Sequence, residues 1–299
     1  MNKITILLGL VVLFFTSCFN GSRELEVPKS KHIYINSISP ASSTELRVKA
    51  GITIPLIGAN GNSENDIELS ACHNSTPIVV KKDGASFIIK LDRELNANDE
   101  ISLIATSEGI PSISTVARVL DAPKLLRAKG EWVHFDEGSS RVQVKLSIEP
   151  TKEVAYYRLI VRSKWYSESL GVSPGTLLER KIVTLGNPLF PQQKDQLFNE
   201  VNNAPFALLS LKNESDVTFS YYDVKLENSP DAPVKMDWEY SAEVELQRIS
   251  KDYYLYLLTC MDSENNNAFE NPIKIHSNII GGFGIFEIYT PLTTPILIK

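Results

Sequence analysis

The cleanest two-residue period in the chain covers residues 142–148, where Val142, Val144, Leu146 and Ile148 alternate with Gln143, Lys145 and Ser147. Alternation of this kind puts the apolar side chains on one face of a strand and the polar ones on the other. Glu149-Pro150 ends the run, and residues 156–161 then read as the returning strand of a hairpin. Residues 217–226 and 240–249 predict two more strands, the second with Ala242, Val244 and Leu246 on one face. Ser250 stands in an N-cap position before a helix whose Tyr253, Tyr254, Leu257, Leu258 and Met261 share one side. Strands at 273–275 and 283–289 close this region. Between 163 and 192, Gly171, Pro174, Gly175, Gly186 and Pro188 cut the text into short pieces. A second short helix is predicted over 192–203, with Leu197, Phe198 and Val201 on one side and Pro205 past its end.

Upstream, helical periodicity gives way to short strands with turn punctuation. Residues 51–57 are rich in β-branched side chains, and Ile67, Leu69 and Ala71 alternate with polar neighbours. Two apolar runs, 78–80 and 87–89, flank Lys81-Lys82-Asp83-Gly84, where Asp-Gly predicts a hairpin turn. Ile101, Leu103 and Ala105 alternate again, and 114–120 supplies a further strand. About seven strands at this spacing predict a small immunoglobulin-like sandwich. The expected fold is all-β: this sandwich over 31–122, then a second β-rich sandwich domain over 123–299 with one or two short helices, the link marked by Asp121-Ala122-Pro123.

The chain opens with Met1-Asn2-Lys3 and a nearly unbroken apolar run over 4–15, followed by Thr16, Ser17 and Cys18. The run is too short to span a bilayer and has the charge and small residues of a secretory leader over 1–17. Cysteine at the cut predicts a bacterial lipoprotein: Cys18 acylated, residues 18–30 as a tether, and the protein lipid-anchored on the outer membrane, in either leaflet. Composition agrees with a folded, exported body. Lys and Arg number 30 against 36 Asp and Glu, so losing Lys3 with the leader leaves 29 against 36. No basic block offers a footprint for nucleic acid. In an oxidising compartment Cys72 and Cys260 are either a disulfide or two small buried hydrophobes, and the second reading is the simpler one.

Catalytic patterns are sparse. Gly171-Val172-Ser173-Pro174-Gly175 spells G-x-S-x-G, but the residue whose N–H should serve the oxyanion is Pro174, which has none, so a turn is expected. His32, His73, His134 and His276 are scattered without metal-ligand spacing. The oxygen-rich stretches 60–66 and 262–267 lack the calcium-loop order and read as loops. Gly281-Gly282-Phe283-Gly284 has no following helix, so it is not a dinucleotide loop. No cofactor or metal site is expected, and no enzyme.

The C-terminal stretch Pro272-Ile273-Lys274-Ile275-His276-Ser277-Asn278-Ile279-Ile280-Gly281-Gly282-Phe283-Gly284-Ile285-Phe286 resembles the closing motif of a Bacteroidetes lipoprotein family, domain of unknown function 4249. Ser250-Lys251-Asp252-Tyr253-Tyr254-Leu255-Tyr256-Leu257 resembles that family's helix, and Tyr156-Tyr157 within 153–159 resembles one of its strands. On this resemblance Ser277, Asn278, Gly282, Gly284, Phe286, Tyr253 and Tyr254 are structural signatures, not an active site. The resemblance implies an outer-membrane lipoprotein, often encoded beside a TonB-dependent transporter. Two functions compete: an accessory or binding component of nutrient uptake, using loops or aromatics such as Trp132, Trp165 and Trp238, and a structural or adhesive surface protein.

Overall fold

The eight-residue strand β1 (Ile33–Pro40) runs parallel to a strand from the far end of the chain, β17 (Phe283–Pro295), with Tyr34 opposite Phe283 and Pro40 opposite Tyr289. In the computed structural model, the described residues are 31–53, 66–134, 140–167, 177–183, 189–190, 205–213, 216–225, 237–264 and 273–298. The chain divides into two compact units. Residues 1–31 and 53–64 form one, of which only Lys31 and Thr53 are described, and residues 32–52 with 65–299 form the other. Every element below belongs to the second. The leader, Cys18, the tether over 19–30, the G-x-S-x-G turn, the helix predicted over 192–203 and most of the loops at 60–66 and 262–267 lie outside the described residues.

The protein is all-β, built from packed sheets with one helix among the described residues. β1 also pairs antiparallel with β2 (Glu45–Ile52), which pairs with β6 (Ser86–Lys90) and so to β5 (Val80–Asp83). Gly84 turns the β5–β6 hairpin at φ 59°, as Asp-Gly predicted. Facing these strands is a four-stranded sheet in the order β4 (Thr76–Ile78), β3 (Ile67–His73), β7 (Glu100–Ser107), β8 (Ile110–Arg118). Alternation explains the packing, since Ile33, Ile35, Leu46, Val48, Ile89, Ile101, Leu103 and Ile113 are almost wholly buried between the two sheets. Burying a side chain of this size contributes about 1.5–3 kcal/mol. Three members of this first core, Ile279, Phe286 and Ile288, come from the C-terminal stretch.

Beyond Tyr289, β17 changes partner. Its residues 290–295 pair antiparallel with β16 (Glu239–Ile249), which continues to β11 (Ala155–Tyr166). One edge of β11 then carries β14 (Phe206–Leu211) and β12 (Leu178–Glu179), which gives a nine-stranded sheet shared by two sandwiches. The opposing layer of the second sandwich runs β13 (Ile182–Val183), β15 (Asp216–Tyr222), β10 (Ser140–Ile148), β9 (Leu125–His134), β18 (Leu297–Ile298). Its core joins Val142, Val144, Leu146 and Ile148 to Leu159, Val161, Val244 and Leu246.

Two sequence expectations are corrected. Residues 156–161 are not the hairpin partner of 142–148: β10 has β9 and β15 on its two edges, and β11 lies in the other sheet. Both strands have a buried face, and those faces meet across the core, about 10 Å apart in a sandwich. Residues 273–275 are not a strand. The predicted helix forms as α1 (Lys251–Glu264), and the Ser250 hydroxyl accepts the Tyr253 N–H at 3.1 Å as its N-cap. Tyr253, Tyr254 and Met261 pack with Ile249 and Ile285 on the outer face of the shared sheet. Cys72, on β3, and Cys260, on α1, are not joined in a disulfide, and each is half-buried.

Candidate functional site

The inward positions of β11 read Tyr157, Leu159, Val161, Ser163, Trp165, so the apolar face turns polar and then aromatic toward one end of the second sandwich. The same change occurs on the neighbours: β15 runs from Val217 and Phe219 to Tyr221 and then Asp223, and β16 reaches Tyr240 beyond Ala242. Asp223 is the hub. Its carboxylate accepts from the Ser163 hydroxyl at 2.5 Å, from the Tyr240 hydroxyl at 2.7 Å and from the Val224 N–H at 2.8 Å. The Arg180 guanidinium lies 3.2 Å away and also donates to Ser163 at 2.6 Å. Tyr221 and Tyr240 share a hydrogen bond of 2.9 Å. Ser163 and Asp223 are almost fully buried, so the ion pair is sheltered and its members satisfy one another.

Above this network sit three rings. Trp132 from β9 stacks on Trp165 from β11 at 6.0 Å, and both meet Tyr240, at 5.1 and 4.7 Å. The Trp165 indole N–H donates to the Val224 carbonyl at 2.9 Å, which fixes its plane. All three rings are half-buried. Trp238, half-buried just before β16, makes none of these ring contacts. Sequence reasoning named the two tryptophans but missed Asp223, Ser163, Arg180, Tyr221 and Tyr240. One signal was present: Ser163 occupies an inward position in an otherwise apolar alternation.

Burial raises the phenols of Tyr221 and Tyr240 far above the ordinary tyrosine range, since neither can ionise without leaving a second charge beside Asp223. An ultraviolet titration to about pH 11, where ordinary tyrosines ionise, is therefore expected to give the same amplitude for the native protein and for Tyr221→Phe and Tyr240→Phe. A smaller amplitude in either variant would show that its phenol titrates normally.

The family-like residues at the C-terminus form a different arrangement. Asn278 turns its side chain onto the backbone of Phe286: its amide donates to the Phe286 carbonyl at 2.8 Å, and its Oδ1 accepts the Phe286 N–H at 3.0 Å. A side chain thus replaces one rung of a ladder. The Asn278 carbonyl accepts from Thr115 at 3.1 Å, and the Ser277 hydroxyl accepts the Ile279 N–H at 3.2 Å. A Cβ on Gly282 would stand 2.4 Å from the Ile33 carbonyl oxygen, and one on Gly284 only 1.9 Å from that of Ile35. The glycines are therefore needed for the close approach of β1. Phe286 is fully buried in the first core, while Tyr253 and Tyr254 are on the sheet-facing side of α1, with Tyr254 4.9 Å from Tyr156. Burial pushes the Tyr253 phenol up to about 12. Glu287, also under α1, accepts both the N–H and the hydroxyl of Ser250, at 2.8 and 2.6 Å.

The histidines do not converge. His32 sets its ring edge against Phe283 at 5.1 Å, His276 meets Asp252 at 2.8 Å, and His73 lies 3.4 Å from Asp99. Asp99 is held far below the usual carboxylate range, first by its bond from Arg93 and then by Asn74 and the Asn96 N–H. Among the described residues, no group of three or more His, Cys, Asp or Glu is arranged to hold a metal. No helix among them is long and apolar enough to cross a membrane.

A comparison with curated proteins finds no match. Among solved structures, the collagen adhesin of S. aureus aligns over 89% of this chain and 93% of that one at 8% identity, with a TM-score of 0.18, too low to carry any correspondence. The family model for a domain of unknown function, DUF4249, matches residues 24–294. That span covers both sandwiches but for the last strand, together with the helix and the Asn278–Phe286 arrangement, and the chain belongs to the DUF4249 family.

Proposed function

We propose that the protein is an outer-membrane lipoprotein, held by acyl chains on Cys18, that serves without catalysis as a binding or accessory component of a TonB-dependent nutrient-uptake system. The observation that carries this reading is the aromatic end of the second sandwich, where Trp132, Trp165 and Tyr240 converge from three strands. Half-exposed rings on a rigid support contribute large contact area at small conformational cost, which suits a sugar, a peptide or a protein surface. The polar groups beneath the rings are engaged with one another, so they support the rings and leave no open acid–base pair.

The test joins anchor and partner. Cells are fed an alkyne fatty acid, and tagged protein is recovered from their outer membrane in mild detergent. Wild type is expected to carry the label and to bring down a β-barrel transporter. Cys18→Ala should lose the label, and Trp132→Ala, if its near-ultraviolet dichroism stays native-like apart from the missing indole, should lose the transporter by about tenfold or more, as a central aromatic anchor does. Equal labelling of both proteins overturns the anchor, and recovery of fibre subunits in place of a transporter moves the assignment to a structural or adhesive role.

A further inference from the structure

Two rows of uncharged side chains cross the outer face of the four-stranded sheet. On β7 and β8 the alternate positions Ile101, Leu103, Ile113 and Ala117 are buried, so Ser102, Ile104, Ser114 and Val116 point away from the core. Register sets them side by side. Ser102 is opposite Val116 and Ile104 opposite Ser114, and Ile280 bridges to Ser114 from beyond the β8 edge. Residues directly opposite in an antiparallel pair share a face, so all five belong to one surface. Ile104, Val116 and Ile280 are 51%, 57% and 73% exposed. Val116 stands diagonal to the other two, about 7–8 Å from each. On β3 the rows continue into Cys72, opposite Ser102, and Ser70, opposite Ile104. Charge enters only past the ends of the rows, where Glu100 is opposite Arg118 and Glu68 opposite Thr106. Elsewhere the outer positions are charged: β2 presents Glu45, Arg47 and Lys49, and β11 with β16 presents Arg162, Glu243 and Glu245.

Large and small side chains alternate on this surface. Along β7 the outward order is Ser102 then Ile104, and along β8 it is Ser114 then Val116. A two-fold axis lying across the strands, between the two rows, would set Ile104 of each copy over Ser102 of the other. It would set Val116 of each over Ser114 of the other in the same way. Every knob meets a hollow, the condition for facing layers to interdigitate. Under that axis the rim charges Glu100 and Arg118 fall over Thr106 and Ser112, so neither meets a like charge. We propose that this face is where two copies of the chain pair, sheet against sheet, through a two-fold axis. Four strands about 4.8 Å apart and about seven residues long at about 3.4 Å each give a face of about 500 Å². Two copies thus bury about 1,000 Å², the lower bound for a specific interface, which makes the dimer weak and dependent on concentration. The inference stands apart from the anchor at Cys18 and from the aromatic end of the second sandwich.

Sedimentation velocity of the purified full-length protein, in one mild detergent at rising concentration, tests the pairing. Wild type is expected to pass from monomer to dimer, with a dissociation constant little changed in about 1 M salt, where exposed charges are screened. Ile104→Glu places two carboxylates in an apolar contact and should raise that constant about tenfold or more. Leu178→Glu, at a position 60% exposed on the second sandwich, should leave it unchanged. Cys72 reports on the face itself, because a thiol reacts according to its exposure. Its alkylation should slow about threefold or more as wild-type dimer forms and stay fast in Ile104→Glu, while Cys260 on α1 keeps its rate at every concentration. Where Ile104→Glu loses its native near-ultraviolet dichroism, Val116→Ser takes its place, removing a knob without adding charge, with a weakening of about fivefold expected. A monomer at every concentration overturns the proposal. So does a dimer that survives these substitutions, or one that forms without protecting Cys72.

Discussion

Gly284→Ala is expected to be the most damaging glycine-to-alanine substitution among the described residues. Gly284 has φ 107°, outside the range that L side chains adopt readily, and its added Cβ would fall 1.9 Å from the Ile35 carbonyl oxygen. Ile35 is fully buried in the first core, so β1 cannot withdraw without opening that core. Backbone strain of roughly 1–3 kcal/mol and an overpacking penalty of similar size together give about 4 kcal/mol. In a protein of this size that lowers Tm by about 10 °C or more. Gly109→Ala is the control, since Gly109 also has a positive φ (72°) but nothing lies within 4 Å of its added Cβ. It should cost only about 1–2 kcal/mol, the conformational share alone. Calorimetry giving equal losses for the two variants would remove the close approach of β1 and β17 as the reason for the glycine.

Stability should fall as the pH rises from about 4.5 to about 7, and Glu287 should account for the fall. Burial beneath α1 lifts its carboxyl from 4.5 to about 7, against the opposing pull of the Ser250 N–H and hydroxyl. The folded protein then holds a proton that the unfolded chain has released, so this group's stabilisation is complete below 4.5 and lost by the time the pH passes the folded value. A difference of this size amounts to about 3 kcal/mol across the window. Glu287→Gln keeps the shape and an acceptor for the Ser250 N–H, and it has no proton to lose. Wild type is expected to melt several degrees lower at pH 8 than at pH 5, and the variant to show a markedly flatter profile. A wild-type slope retained in the variant would assign the effect to other groups.

Both residues belong to the same short stretch, which carries three structural duties at once. Residues 277–288 complete the first core through Ile279, Phe286 and Ile288, receive β1 on two glycines, and anchor the cap of α1 through Glu287. A motif with three such duties tolerates few replacements even without chemistry of its own.

Much of the architecture was legible in the chain because its signals are local. Alternation at 67–71, 101–105, 142–148 and 240–249 marked β3, β7, β10 and β16, Asp83-Gly84 marked a hairpin, and Ser250 with its following apolar stripe marked α1 and its cap. Each depends only on side-chain period or on one residue's backbone preference, both properties of a few neighbouring residues. Partnership was not legible in the same way. The period of 156–161 showed a buried face but not which sheet it joins, and the structure sent β11 across the core from β10. Nothing local shows that residues 283–289 pair parallel with residues 34–40 while residues 290–295 pair with β16, because those partners are set by which distant surfaces fit. The same holds for the candidate site. The sequence contains Trp132, Trp165, Asp223 and Tyr240 as isolated residues, and only the stacking of two sheets, each turned polar at the same end, brings them within contact distance.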